Sequence, residues 1–254
     1  MIPKKIHYCW FGNGEKPELA IKCIESWKTH CPDYELVEWN EQSFDIDSAP
    51  LYVRQAYENK KWAFVTDYVR LYAMVSYGGV YMDTDVEVIK NIDAFLDNSA
   101  FLGFEDGKNI LTAVMACEKN FPLFKEMMNA YDDAFFVKED GSLDTTTNVV
   151  RVTNVCLNHG LVQNNEHQFI EGLAVYPRDY FCPVEYLSGK LKKTENTVAV
   201  HWFSESWFSD EQRQEMTKWR KRRRFDYIVH TPNRILIKVM GQEKYEDFKN
   251  KLRK

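Results

Sequence analysis

The sequence has no long uninterrupted hydrophobic run. No stretch of its 254 residues approaches the roughly 18 uncharged apolar residues that a membrane-spanning helix requires. The first five residues, Met1 to Lys5, also lack the apolar core of a signal peptide. We therefore expect a cytoplasmic protein with no membrane-spanning helix.

The sequence also lacks paired cysteines. There is no C-x-x-C pair and no histidine at zinc-finger spacing, which argues against a structural zinc site. We expect reduced thiols at all six cysteines, which are Cys9, Cys23, Cys31, Cys117, Cys156 and Cys182.

Internal repeats, low-complexity linkers and a composition break between two large domains are missing as well. With 44% hydrophobic and 15% aromatic residues, the chain is typical of a globular protein, and its length allows a full core and a ligand cleft without disulfides. We predict one domain over residues 1–207, followed by a basic helical extension over residues 208–254 packed on it.

Charge is unevenly distributed along the chain. The 33 basic and 38 acidic residues give a net charge of −5, yet residues 211–224 hold seven basic and two acidic residues. The run from Lys218 to Arg224 is interpreted either as a solvated helix face or as a peripheral contact with anionic lipid at the inner face of the membrane. Nucleic acid is disfavoured as a partner.

Short β-prone runs alternate with helical patterns in the first part of the chain. Strands are predicted over residues 5–11, 34–39 and 80–82, and helices over residues 17–29 and 62–77. This alternation is typical of an α/β fold with a parallel sheet. Weaker patterns predict strands over residues 101–104, 112–116 and 197–202, and helices over residues 123–131 and 148–158.

The densest group of chemically active residues is Asp83-Thr84-Asp85, placed where the apolar strand over residues 80–82 stops. In open α/β sheets, ligands bind at the carboxyl ends of strands. Two carboxylates one residue apart can approach one divalent ion, and oxygen ligands suit Mg²⁺ or Mn²⁺. Taken alone, the motif is weak, because pairs of aspartates at turns also cap helices.

Asp67 and Arg70 lie three residues apart on the helix that leads through Gly78-Gly79 into this strand. They are interpreted either as a local ion pair on a solvated helix face or as ligand-binding groups. In the second case Arg70 holds phosphate or sugar oxygens, and Asp67 accepts sugar hydroxyls.

Several stretches together resemble a known family. Residues 63–71 (AFVTDYVRL) and 78–85 (GGVYMDTD) resemble the signature of the D-x-D sugar transferases of glycosyltransferase family 32. Residues 2–12 (IPKKIHYCWFG) look like the family's first strand, and His201-Trp202 with Ser206-Trp207 looks like its C-terminal metal motif. Thr66 stands where serine is usual, a mild departure.

The resemblance implies a GT-A fold, which is a Rossmann-like nucleotide-sugar-binding fold. It implies that Asp83, Asp85 and His201 hold the metal, with Asp83 contacting it through water or binding the ribose. The implied donor contacts are Trp10 near the base, Asp67 and Arg70 on the sugar and diphosphate, Asp83 on the ribose, and Ser206 and Trp207 closing over the diphosphate. The implied catalytic set is Asp67, Arg70, Asp83 and Asp85.

The function implied is that of a metal-dependent retaining glycosyltransferase, using Mn²⁺ or Mg²⁺. We expect it to move a hexose from a nucleotide sugar, expected to be UDP-linked, to a glycan or lipid-linked oligosaccharide in bacterial surface polysaccharide synthesis, such as capsule or lipopolysaccharide. The alternatives are a non-catalytic nucleotide-sugar or glycan-binding module and a transferase with a protein acceptor. A D-x-D phosphatase is disfavoured, because such enzymes place the motif on their first strand.

The acceptor side carries fewer signals. Glu105, Asp106 and Asn109 follow a predicted strand near the cleft. The run from Thr145 to Asn148 is placed either beside the acceptor or, as we prefer, at the N-cap of a helix.

Overall fold

A computed structural model describes residues 1–186 and 188–204, together with the helical residues 214, 215, 217–219 and 222. The chain divides into two compact units, Met1–Glu185 with Lys190–Trp207, and Tyr186–Gly189 with Phe208–Lys254. Ser206 and Trp207, and most of the run from Lys218 to Arg224, lie outside the described residues. Every feature discussed below belongs to the first unit.

This unit contains five α-helices and nine strands among its described residues. The helices are α1 Glu18–His30, α2 Leu51–Glu58, α3 Trp62–Tyr77, α4 Pro122–Asn129 and α5 Asn148–Asn158. The strands are β1 Lys5–Cys9, β2 Glu35–Trp39, β3 Gly79–Met82, β4 Val86–Val88, β5 Ala100–Phe104, β6 Ile110–Cys117, β7 Gln168–Ile170, β8 Leu173–Tyr176 and β9 Ala199–His201. The helices and strands predicted before residue 205 are all present, whereas α2, β4, β7 and β8 were not predicted. The helical extension predicted over residues 208–254 lies almost wholly outside the described residues.

Seven strands form one mixed sheet in the order β2-β1-β3-β6-β5-β8-β7. Strands β1, β2, β3, β5 and β8 point the same way, while β6 and β7 run opposite to their neighbours. The α/β class is confirmed, but the prediction of a parallel sheet is wrong for β6 and β7. Residues 105–109 join β5 to β6, and two residues join β7 to β8. Parallel neighbours need crossovers of about a dozen residues, so these connections dictate antiparallel pairing.

The two faces of the sheet are covered by different elements. Helices α2, α3, α4 and α5 pack on one face, and ten of the sixteen residues of α3 are buried there. Helix α1 and the two-stranded ribbon β4-β9 cover the other face. The indole nitrogen of Trp27 donates a hydrogen bond of 2.7 Å to the carbonyl of Val86, which fixes α1 to β4.

A buried histidine holds the turn between α3 and β3. The Nε2 of His7 donates to the carbonyl of Gly78 (2.9 Å), and its Nδ1 accepts from the indole of Trp39 (3.1 Å). Burial lowers the pKa of His7 to about 4, so the ring is neutral, as these two bonds require. Gly79 has φ of 111°, and a Cβ there would lie 2.9 Å from the carbonyl of Lys5. Glycine is therefore required where the chain enters β3.

The thiols agree with the prediction from the sequence. All six cysteines are free and buried. Among the described residues, no helix combines the length and apolar character needed to cross a membrane.

Candidate functional site

The D-x-D motif lies where β3 leaves the sheet. The amide of Asp83 still donates to the carbonyl of Ala113 on β6 (2.9 Å), and the amide of Val86 donates to the carbonyl of Asp83 (3.0 Å). The chain therefore turns tightly through Thr84 and Asp85 into β4. This turn explains why both carboxylates project from the carboxyl end of one buried strand, as the sequence predicts.

The ribbon β4-β9 brings His201 to the motif across more than a hundred residues of sequence. Val86 and His201 are paired in register, so the imidazole lies beside Asp85, with 3.5 Å between Nε2 and Oδ1. Asp85 is held further by the amide of Ser204, which donates to Oδ2 (2.8 Å), and its own carbonyl accepts from the amide of Trp202 (3.0 Å). Backbone hydrogen bonds thus fix the carboxylate of Asp85 and the strand that carries His201.

The structure brings Asp83, Asp85 and His201 together, with one ligand atom of each lying within 4.8 Å of the others. The side chains of His201 and Asp85 are only 11% and 13% exposed. Burial opposes ionisation of Asp85, but the charge of His201 and the Ser204 amide outweigh it and hold the pKa of Asp85 well below its usual value. Burial likewise opposes protonation of His201, and Asp85 outweighs it, so the pKa of His201 is raised.

These three residues fit a divalent cation. Two carboxylates and one imidazole form a donor set of the kind that Mn²⁺ accepts, while Mg²⁺ prefers oxygen alone. The Nδ1 atom of His201 is buried and has no hydrogen-bond partner, so the ring has a free nitrogen as well as the one near Asp85. The predicted roles of the three residues as metal ligands stay predictions.

Arg70 connects the metal group to α3. Its guanidinium contacts Oδ1 of Asp67 (3.2 Å) and both carboxylate oxygens of Asp83 (3.3 Å), and it donates to the carbonyl of Thr112 (2.7 Å). It also lies over the ring of Tyr81, 4.8 Å from the centroid. The alternative of a solvated surface ion pair is wrong, since the Arg70 and Asp67 side chains are 6% and 11% exposed.

Asp67 is one of the two carboxylates that contact Arg70, and its surroundings disfavour its ionised form. Burial raises the pKa of Asp67 to about 6; Arg70 opposes this shift, and the nearby charge of Asp83 adds to it. The amide of Asn148 donates to Oδ2 of Asp67 (3.2 Å), and its side-chain nitrogen donates to the Asp67 carbonyl (3.3 Å). The start of α5 therefore positions Asp67.

The run from Thr145 to Asn148 differs in part from our expectation. Thr147 occupies the N-cap position of α5, but its hydroxyl makes no capping hydrogen bond. Asn148 is instead turned toward Asp67, 81 residues earlier in the chain. Thr and Asn favour helix starts for local reasons, so the sequence predicts the helix start and carries no signal for this distant partner.

A small cleft lies beside Asp85 and includes Trp10. Its lining residues are Trp10, Pro17, Leu19, Ala20, Thr84, Asp85 and Ser204. The indole nitrogen of Trp10 donates to the carbonyl of Gly14 (2.7 Å), which fixes the ring. The predicted contact of Trp10 with the donor base stays a prediction.

The loop after Trp10 needs a glycine. Gly12 has φ of 92°, a conformation that side chains disfavour, and a Cβ there would lie 2.6 Å from the indole nitrogen of Trp62. Gly14, two residues later, has no neighbouring heavy atom within 4 Å of a Cβ built on it.

Glu105, which was not among the implied site residues, lies near enough to His201 and Asp83 for their charges to act on its carboxyl group. It follows β5, and its amide donates to the carbonyl of Asn109 (2.8 Å). Burial raises the pKa of Glu105 to about 6; His201 opposes this shift, and Asp106 and Asp83 add to it. The sequence shows Glu105 only as a polar residue after a strand.

Comparison with known proteins identifies the region that carries these residues. Residues 17–102 match the family model described as glycosyltransferase sugar-binding region containing DXD motif. This range includes Asp67, Arg70, Asp83 and Asp85, while Trp10 and His201 lie outside it.

Two curated relatives are yeast proteins. Inositol phosphoceramide mannosyltransferase 3 of Schizosaccharomyces pombe is 30% identical over 131 residues, which cover 50% of this chain and 36% of that protein. Mannosyl phosphorylinositol ceramide synthase SUR1 of Saccharomyces cerevisiae is 27% identical over 148 residues, covering 54% of this chain and 37% of that protein. The chain thus spans little more than a third of the length of these relatives.

Two solved glycosyltransferase structures align with this chain. The PaToxG glycosyltransferase aligns with a TM-score of 0.48 and 17% identity over 62% of this chain and 69% of that one. The galactosyltransferase LgtC aligns with a TM-score of 0.41 and 15% identity over 81% of this chain and 90% of that one. The α/β class predicted from the sequence agrees with the mixed sheet of the structure, and its GT-A type stays a prediction. Over residues 17–102 the chain is thus similar to glycosyltransferases that carry the DXD sugar-binding region.

Proposed function

We propose that this protein is a metal-dependent retaining glycosyltransferase that moves a hexose from a nucleoside diphosphate sugar to a glycan acceptor. The observation that carries the proposal is the convergence of Asp83, Asp85 and His201 beside the buried guanidinium of Arg70. A cation-binding group and a fixed positive charge at the end of one strand suit a diphosphate leaving group.

The reaction breaks the bond from the anomeric carbon to the phosphate oxygen, and the acceptor oxygen forms the new bond as its proton is lost. Negative charge grows on the diphosphate during this step. A divalent cation held by Asp83, Asp85 and His201 would neutralise part of that charge. Arg70 lies 3.3 Å from Asp83 and adds a permanent charge on the same side. A unit charge about 4 Å away contributes about 4 kcal/mol at an effective dielectric near 20.

The donor is proposed to bind along the cleft from Trp10 to Asp67. The half-buried indole of Trp10 offers a flat surface to the base, beside Thr84 and Asp85. Asp67 accepts sugar hydroxyls with the oxygen that Arg70 contacts, while Asn148 occupies the other oxygen. Ser206 and Trp207 are proposed to close over the diphosphate. A UDP-linked hexose remains our first candidate, and mannose is a second because the names of two relatives specify it.

For the acceptor, we propose a glycan or lipid-linked oligosaccharide of a bacterial surface polysaccharide, such as capsule or lipopolysaccharide. The names of the two yeast relatives contain an inositol-containing ceramide, so a lipid-borne inositol headgroup is a second candidate acceptor. The run from Lys218 to Arg224 is proposed to provide peripheral contact with the membrane that carries such a lipid. Residues 1–207 are proposed as the catalytic domain and residues 208–254 as a C-terminal extension.

The test is hydrolysis of a panel of UDP- and GDP-linked hexoses without acceptor, with Mn²⁺, with Mg²⁺ and with EDTA. We expect one donor to be turned over only with metal, and Asp85→Ala to abolish this turnover. Asp47→Asn is the matched control, because Asp47 is an exposed aspartate outside the cleft.

Binding measurements separate the proposed function from its alternatives. Calorimetry with Mn²⁺ and each nucleoside diphosphate reports donor binding independently of turnover. Binding without hydrolysis or transfer would favour the non-catalytic module, and the absence of both binding and turnover would contradict the proposed function. Anomeric configuration of a transferred sugar, read by NMR, decides whether transfer is retaining.

A further inference from the structure

Glu105 lies two strands away from the D-x-D motif at the same edge of the sheet. Strand β6 stands between β3 and β5, and β5 runs in the same direction as β3. Neighbouring strands are about 4.8 Å apart, so the backbones of β3 and β5 are separated by about 10 Å. The chain continues past the end of each strand, through Asp83 and Asp85 on one side and through Glu105 on the other.

The register of β5 turns Glu105 toward the layer that contains His201. A Cβ added to Gly103 would lie 2.7 Å from the ring of Phe181, so position 103 faces the layer formed by Phe181 and the ribbon β4-β9. Side chains alternate along a strand, and the amide of Glu105 continues the β5-β6 pairing by donating to Asn109. Glu105 therefore faces the same layer as Gly103. His201 is, after burial, the strongest influence on its ionisation.

The carboxylate of Glu105 has no partner among the residues that the structure describes: none donates a hydrogen bond to it or forms an ion pair with it. The neighbouring Asp106 is satisfied, since its carboxylate accepts from the amides of Lys108 and Asn109 and from the Asn109 side chain. The metal group forms without Glu105. Glu105 is half-buried, so a ligand held by the metal group can still reach its unpaired carboxylate.

We propose that Glu105 accepts a hydroxyl of the donor hexose and so determines which sugar the protein uses. The inference rests on the proposed function, because it requires a nucleoside diphosphate sugar held by the metal group. A sugar ring in the gap between Asp83 and Glu105 presents hydroxyl donors, and a carboxylate is an acceptor only. A site that hydrogen-bonds one hydroxyl strongly rejects an analogue lacking it, since the buried acceptor is then left unpaired.

The test compares Glu105→Gln with Asp106→Asn. Both remove one negative charge from adjacent positions, and asparagine at 106 keeps an acceptor oxygen for the two amides. Three quantities are measured for each protein: the Kd for Mn²⁺ with the nucleoside diphosphate alone, kcat/KM for hydrolysis of the preferred donor, and the ratio of kcat/KM values for that donor and its deoxy-sugar analogues.

For Glu105→Gln we expect an unchanged Kd for Mn²⁺ with the nucleoside diphosphate, to within about twofold. We expect kcat/KM for the donor to fall roughly 10- to 100-fold, the range for loss of a charged hydrogen bond. The ratio of kcat/KM for the donor to kcat/KM for one deoxy analogue should fall by a similar factor. That analogue lacks the hydroxyl that Glu105 contacts, so the substitution slows the donor and leaves the analogue unaffected. Asp106→Asn keeps the wild-type preference.

Three outcomes would overturn the inference. If Glu105→Gln keeps the wild-type kcat/KM ratios for all deoxy analogues, this carboxylate binds no hydroxyl of the donor sugar. Weaker binding of Mn²⁺ with the sugar-free nucleotide shows that Glu105 acts on the metal. A wild-type protein that binds no nucleoside diphosphate contradicts the proposed function itself. If Glu105→Gln does not fold, Glu105→Asp retracts the carboxylate while keeping its charge, and the same loss of preference is expected.

Discussion

Replacing Asp67 with asparagine is expected to leave the metal-free protein as stable as the wild type at pH 4 and to make it more stable at pH 8. Asp67 is an acid whose charged form is disfavoured by burial, despite its contact with Arg70. Asparagine resembles the protonated carboxyl group, since each has one carbonyl oxygen that accepts from Arg70 or from the amide of Asn148 and a second group that carries hydrogen. The substitution removes a titration and is matched to the protonated form of Asp67.

The magnitude follows from the pKa of Asp67, which is raised from 3.8 to about 6 in the folded protein. Between these two values the folded state binds more protons than the unfolded state, so the free energy of unfolding falls as pH rises through this window. A difference of about two pKa units corresponds to at most about 3 kcal/mol, reached above pH 6. The difference between Asp67→Asn and the wild type should grow by up to that amount from pH 4 to pH 8.

The assay is urea unfolding in EDTA, followed by tryptophan fluorescence at pH 4, 6 and 8. Asp47→Asn, an exposed substitution, should stay within about 0.5 kcal/mol of the wild type throughout. Under the proposed function, Asp67→Asn also loses donor turnover, so stability and activity change in opposite directions. A variant less stable than the wild type at pH 8, or a difference that does not depend on pH, would refute the reasoning.

Two further predictions concern other parts of the fold. Gly12→Ala should lower the free energy of unfolding, measured by urea unfolding, by about 1–3 kcal/mol, because the new Cβ would clash with the Trp62 indole at a positive φ. Gly14→Ala is the control and should change the free energy of unfolding little, since its Cβ would lie in open space. Equal effects of the two substitutions would contradict the steric argument. His159 contacts Glu171 through Nδ1 and Glu126 through Nε2, both at 2.9 Å, and these carboxylates raise its pKa above 6.5. The stability it contributes is fully present below pH 6.5 and is lost as pH rises through the raised pKa. NMR titration of the imidazole should show this raised pKa and its return toward 6.5 when both glutamates become glutamine; an unchanged pKa in that variant would exclude the carboxylates as its cause.

Much of the fold was predictable because its signals are local. The apolar helix Trp62–Tyr77 is followed by Gly78-Gly79 and a strand, and this order places the D-x-D motif at the edge of the sheet. In contrast, β4, β7 and β8 have three or four residues each, too few to show a period. The reversed direction of β6 could be inferred from the sequence, because the predicted strands 101–104 and 112–116 are too close for a parallel crossover.

The site shows the same division between local and distant information. The family resemblance implied Asp67, Arg70, Asp83, Asp85 and His201, and the structure places all five side by side. Packing between residues distant in sequence buries Asp67 and Arg70 and thereby shifts their pKa values. The same packing brings Asn148 into contact with Asp67. No single-sequence pattern reports such contacts.

The ribbon β4-β9 makes the proposed metal ion a cross-link. β9 has three residues and pairs, among the described strands, with β4 alone. An ion shared by Asp83, Asp85 and His201 would tie His201 on β9 to Asp83 at the end of β3, 118 residues earlier in the chain. Free Mn²⁺ at a hundred times its Kd stabilises the folded protein by about 2.7 kcal/mol. A local opening that separates the three ligands loses this stabilisation. Amide hydrogen exchange in β9 should therefore slow when Mn²⁺ is added, and the lifetime of the bound ion should follow the opening rate of the ribbon.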